Sequence, residues 1–110
     1  MIKVDGYQIT MPAGDTLKLD VGIRAKVDGK YIDYEPDDGD TIEFILKDDP
    51  SDAEPIYTVT IPNDTKKLVL SSQQTAALEP RKKPYPFDIK LCFSDGAVDT
   101  FIKGRLYIVE

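Results

Sequence analysis

A chain of 110 residues with 41% hydrophobic and 31% charged side chains is long enough for one domain with its own core, and its short periodic apolar runs exclude wholesale disorder. The net charge of −6, with Arg81-Lys82-Lys83 as the one basic cluster, argues against nucleic acid as a partner. A single cysteine, Cys92, excludes an intrachain disulfide, and no apolar run approaches the length of a membrane span.

Period-two alternation recurs along the chain, and it predicts strands separated by turn residues. Tyr7 to Met11 reads as a short first strand. Thr16 to Arg24 follows as one strand, with Leu17, Leu19, Val21 and Ile23 on a common face. Val27-Asp28-Gly29-Lys30 carries an Asp-Gly turn, and Tyr31, Ile32 and Tyr34 mark a short edge segment. Asp40 to Lys47 alternates again through Ile42, Phe44 and Leu46, and the turn formers from Asp48 to Glu54 close it. Ile56 to Ile61 is β-branched and ends at Pro62, and NDTKK leads into Leu68-Val69-Leu70.

SSQQTAAL, Ser71 to Leu78, breaks the alternation. It combines helix formers with an N-capping serine, and Pro80 stops extension, so one or two helical turns are expected near 72–78. Arg81-Lys82-Lys83, between Pro80 and Pro84, reads as a solvated loop. The remainder, from Tyr85 to the last residues, folds back at Asp95-Gly96 as a long hairpin. A two-residue turn pairs Phe93 with Val98, Cys92 with Asp99, Ile89 with Ile102, Phe87 with Gly104 and Tyr85 with Leu106. In that register Phe87, Ile89, Leu91, Phe93, Val98 and Ile102 form about half of the core. Seven or eight short strands with one helical turn predict an all-β, antiparallel two-sheet β-sandwich, a single domain over residues 1–110.

The chemistry of catalysis is thin. The chain has no histidine, so Ser-His-Asp and Cys-His arrangements cannot be built, and Cys92 alternates away from the apolar face beside Asp99. Asp33 to Asp40, DYEPDDGD, is the densest acidic stretch. Read as an EF-hand loop from Asp33, it places Gly39 at position seven and Phe44 at position twelve, and the motif fails. A looser calcium set from Asp37, Asp38 and Asp40 with Asp48 or Asp49 stays open beside the reading of a solvated turn. No phosphate loop is present. The expectation is a non-enzymatic protein with no cofactor and no resident metal.

The order of motifs carries a resemblance. A Gly-Asp-Thr step enters a strand twice, in AGDTLKLDV (Ala13 to Val21) and DGDTIEFIL (Asp38 to Leu46). The helical turn SQQTAAL, the strand YPFDIKL (Tyr85 to Leu91), the hairpin, and the closing strand IKGRLYIV (Ile102 to Val109) follow in turn. Together these resemble the immunoglobulin-like β-sandwich structural proteins of tailed bacteriophages and prophages of Gram-positive bacteria, in particular the N-terminal domain of upper baseplate proteins. The resemblance implies an immunoglobulin-like sandwich that assembles with other virion structural proteins, or with copies of itself, inside a virion built in the host bacterial cytoplasm. It implies no catalytic residues. Because the chain stops at Glu110, it favours an adaptor, a decoration module or an excised domain over receptor display.

The expected partner surface comprises Tyr31 and Tyr34 on the edge segment and Tyr7 and Ile9 on the first strand, since unpaired strand edges can pair with another chain. Tyr34→Asp is expected to weaken assembly with the thermal midpoint nearly unchanged. The alternative from a different class is a carbohydrate-binding or adhesion β-sandwich of a bacterial surface protein.

Overall fold

A computed structural model describes residues 3–5 and 7–110; the side chains of residues 3–5, 24–27 and 31 lie outside the described residues. The strands, in chain order, are β1 (Lys3–Asp5), β2 (Gln8–Pro12), β3 (Leu17–Asp20), β4 (Arg24–Val27), β5 (Lys30–Asp33), β6 (Thr41–Leu46), β7 (Tyr57–Ile61), β8 (Lys67–Leu70), β9 (Tyr85–Cys92) and β10 (Val98–Val109). One helix, α1 (Ser72–Ala76), links β8 to β9. The protein is all-β, as its sequence predicts, and the strands number ten among the described residues where seven or eight were expected.

Six strands form one sheet in the order β1-β2-β10-β9-β6-β7, and β3–β8 and β4–β5 form two-stranded ribbons. The sheet is mixed rather than antiparallel throughout. β2 runs parallel to β10, with Ile9 beside Leu106 and Met11 beside Ile108. The single strand expected from Thr16 to Arg24 is two strands, because β3 bonds to β8 while β4 bonds to β5. Between them Val21 donates its N–H to the carbonyl of Lys66 (2.8 Å), and Val21 and Ile23 stay buried as the alternation requires.

Each core strand buries every second side chain. β6 buries Ile42, Phe44 and Leu46; β9 buries Tyr85, Phe87, Ile89 and Leu91; Leu17, Leu68 and Leu70 of the β3–β8 ribbon join the same cluster. At about 1.5–3 kcal/mol for each fully buried large apolar side chain, this cluster dominates the folding free energy. α1 is capped as expected. Ser71 accepts from the Gln74 N–H through its side chain, and Gln74 accepts from the Ser71 N–H in return.

The long hairpin holds two opposite irregularities. The loop is Ser94-Asp95-Gly96, three residues rather than two: Phe93 N–H donates to Ala97 (2.8 Å), and Gly96, at φ +93, donates to Phe93 (3.0 Å). The Asp95 carboxylate sets this loop by accepting from the Ala97 N–H (2.9 Å). Pairing near the turn is therefore shifted by one, with Cys92 opposite Val98 and Leu91 opposite Asp99. A bulge at Phe101, between Thr100 and Ile102, cancels the shift, and from Ile89/Ile102 to Tyr85/Leu106 the pairs are those expected. Val98, expected in the core, is consequently 58% exposed.

Gly104 lies opposite Phe87 in this ladder. A Cβ there would clash with the Cζ–Cε2 edge of the Phe87 ring and lie 2.6 Å from the carbonyl oxygen of Tyr7. Gly22 has open space around it. Gly104→Ala should therefore cost about 1–3 kcal/mol in urea unfolding, as overpacking does, and Gly22→Ala should stay within about 0.5 kcal/mol. Equal behaviour of the two variants would remove the Phe87 ring from its place over β10.

Candidate functional site

The acidic stretch DYEPDDGD ends in the one buried carboxylate among the described residues, Asp40, 4% exposed at the start of β6. Its N–H donates to the Asp37 carbonyl (2.9 Å), and its Oδ2 accepts from the Asp37 N–H (3.1 Å), so Asp40 closes its own turn. Its Oδ1 accepts from the Ser94 N–H of the β9–β10 loop (3.2 Å), and its carbonyl accepts from Asn63 Nδ2 of the β7–β8 loop (2.8 Å). Three loops distant in sequence thus meet on one residue. The Tyr34 phenol faces the same carboxylate and feels its charge. Desolvation first, then the charges of Asp40 and Asp37, push the Tyr34 phenol above its ordinary pKa.

The other end of β6 holds the basic loop. Asp48 and Asp49 lie just past Leu46, roughly 25 Å from Asp40 along a strand rising about 3.3 Å per residue. Arg81 donates to the Asp48 carboxylate (2.6 Å) and carbonyl (3.0 Å), and its guanidinium sits 3.7 Å above the Tyr85 ring. Lys83 pairs with Asp49 (2.7 Å). The loop stays exposed at Lys82 and Lys83, as expected, but Arg81 and Lys83 are tied down by these ion pairs. The looser calcium set is not assembled, since Asp48 and Asp49 face cations at the opposite end from Asp37, Asp38 and Asp40. No cluster of three or more metal-ligating side chains occurs among the described residues.

A second polar tie escaped sequence reasoning. Thr75 of α1 is fully buried; its hydroxyl accepts from the Gly14 N–H (3.1 Å) and donates to the Asp15 carbonyl (2.6 Å). Tyr57 adds a hydrogen bond to the Gln74 carbonyl (2.8 Å), so the helix is bolted to both the β2–β3 turn and β7. A threonine in SQQTAAL carries no pattern that announces this role.

Of the four expected interface residues, the three whose side chains are described do not share a surface. Ile9 is 2% exposed in the core, and β2 lies between β1 and β10, so it offers no free edge. Tyr7 is 59% exposed, and its carbonyl accepts from the Arg105 N–H (3.0 Å). Tyr34 is half-buried against the core at the Asp40 end of the sheet. The Tyr31 side chain lies outside the described residues. Cys92 is half-buried opposite Val98 rather than Asp99.

Three outcomes follow. Asp40→Ala leaves the Ser94 and Asp37 N–H groups without their acceptor, which should lower stability by about 1–3 kcal/mol and return the Tyr34 phenol toward pKa 10 in an absorbance titration. Tyr34→Asp, packed against the core beside Asp40, should lower the thermal midpoint and not spare it. The third outcome concerns acid. Hydrogen bonds from Lys83 and then from the Ser51 N–H and hydroxyl hold Asp49 far below the ordinary carboxylate range. A depressed folded pKa stabilises above the unfolded value, near 3.8, and that stabilisation is lost as pH falls below it. Asp49→Asn should accordingly flatten the fall in stability below pH about 4; an unchanged acid limb in calorimetry would assign it to other carboxylates.

A scan against protein-family models finds no match for the chain, and a search of curated proteins finds none either.

Proposed function

We propose that this protein is a non-enzymatic structural module of a tailed-phage or prophage virion, associated with the tail or baseplate, that works by docking to other virion proteins. The observation that carries this reading is the ordered set of motifs, from the paired Gly-Asp-Thr entries to IKGRLYIV, and their physical use. DGDT supplies the Asp40 junction, SQQTAAL supplies α1 with its Thr75 tie, and YPFDIKL with IKGRL supplies the Phe87–Gly104 contact. Each motif serves rigidity. A chain without histidine, whose buried polar side chains lock loops, suits a part that must hold shape inside a large assembly.

On this reading the six-stranded sheet and the β3–β8 ribbon are the two layers of an immunoglobulin-like sandwich, their facing side chains sharing one core. The partners are proteins of the same particle, and the place of work is the virion. The test is to read the genes flanking this one in its source genome and to co-express their products with it. Portal, tape-measure or tail-fibre neighbours, and co-sedimentation of the chain with one of their products, are expected. Neighbours encoding cell-wall anchors or glycan-degrading enzymes, with no co-sedimentation, would overturn the proposal.

A further inference from the structure

The sheet's outer face, opposite the core, carries a groove of about 340 Å³ walled by Lys47, Lys103 and Arg105 over a floor that includes Ile45, Pro50 and Pro86. The ladder fixes this grouping. Arg105 stands opposite Pro86, Lys103 opposite Asp88, and Lys47 donates its N–H to the Pro86 carbonyl (2.9 Å). Among the described residues none of these three cations is ion-paired, in contrast to Lys66, Arg81 and Lys83. Asp88 is the single acid in the wall. A groove of this charge on a protein of net charge −6 is a local reversal of sign.

The opposite sign is gathered at the far end of the same strands. Asp37 and Asp38 stand exposed on the turn that Asp40 closes, and Asp95 stands exposed on the loop that Asp40 fastens beside it. That tip is held rigid, so presenting it costs little conformational entropy. It cannot reach its own groove, because β6 lies between them as a stiff spacer of roughly 20 Å.

We propose that the Lys47–Lys103–Arg105 groove receives the Asp37–Asp38 tip, with Asp95 beside it, of a second copy of this chain. The contact joins two different surfaces, so it repeats head to tail and closes into a ring or runs on as a filament. It rests on the assembly reading above and specifies one interface within it. Salt dependence has a definite sign. Repulsion between two copies of net charge −6 would weaken with salt and favour association, whereas attraction between tip and groove weakens with salt and opposes it.

The test is sedimentation velocity on the full chain, raised to about 1 mM so that weak contacts are populated. Wild type should associate at about 10 mM salt, where the screening length is about 30 Å, and return to the 12.3 kDa monomer at about 1 M, where it is about 3 Å. Lys103→Glu with Arg105→Glu should be monomeric alone, and Asp37→Lys with Asp38→Lys likewise. An equimolar mixture of the two variants should associate again. Both keep a net negative charge, since two reversals shift the total of −6 by four in either direction, so bulk attraction does not explain the rescue. Circular dichroism of each variant confirms folding, and the rescue itself requires it. A wild type that is monomeric at low salt, association that strengthens with salt, or association untouched by either double reversal would each overturn the proposal. Should the monomer still co-sediment with a neighbouring gene product, self-docking falls and the assembly reading stands. Self-association without any such co-sedimentation leaves the interface and removes the virion reading.

Discussion

The ring of Phe87 can lie across β10 because position 104 has no Cβ, and much of the core is arranged around that contact. Phe87 meets Phe44 of β6 with ring centroids 5.2 Å apart, which ties the strand on its other side to the same point. On the far side of Gly104 the Tyr7 carbonyl comes close enough to accept from the Arg105 N–H, and there β2 joins the sheet. One missing methyl group thus lets four neighbouring strands converge. Any side chain at 104 pushes on an aromatic ring in one direction and on backbone in the other, and backbone yields less readily than a flexible side chain.

Hydrophobic burial fixes the sheet, but it does not fix loops, which have little apolar surface to bury. Loop order here comes from two polar residues taken out of water and fully used. Asp40 serves the 37–40 turn, the Asn63 loop and the Ser94 loop at one end, and Thr75 serves the β2–β3 turn and α1 near the core. Every described buried side-chain polar atom has a partner. Removing either residue leaves several backbone groups unsatisfied at once, a larger penalty than the loss of one surface hydrogen bond.

Much of this was legible in the residues, and the exceptions share a cause. Alternation in β6 and β9 picked out their buried faces because both strands have one wet side. The N-cap of α1 was legible from Ser71 and its stop from Pro80, whereas the return bond from Gln74 was not. The same Asp-Gly dipeptide, however, makes two different loops. At Asp28-Gly29 both residues take positive φ, while at Asp95-Gly96 the aspartate side chain caps the backbone and a third residue joins the loop. Which of the two forms is adopted depends on tertiary contacts, including the Ser94 N–H donated to Asp40, and local sequence does not record them. Ile9 was misassigned for a related reason. A short alternating run near one end of a chain looks like an edge, and only the pairing with β10 places it inside. The acidic stretch was legible as a turn, but nothing in its composition singled out Asp40 from its exposed neighbours.

The parallel pairing of β2 with β10 has a consequence for how the molecule is made. Ile9 settles beside Leu106, so nearly the whole chain must be threaded before these two strands meet. Contacts of such long sequence separation are slow to form, because loop-closure entropy is lost before any pairing compensates for it. During synthesis β2 leaves the ribosome early and waits, its Ile9 and Met11 uncovered, until β10 follows. The β9–β10 hairpin closes locally and fast by comparison. Assembly of the sheet is therefore set to begin at the late end of the chain and to recruit the early strand last, which makes the interval before that recruitment the time when the newborn chain is most exposed to association with its neighbours.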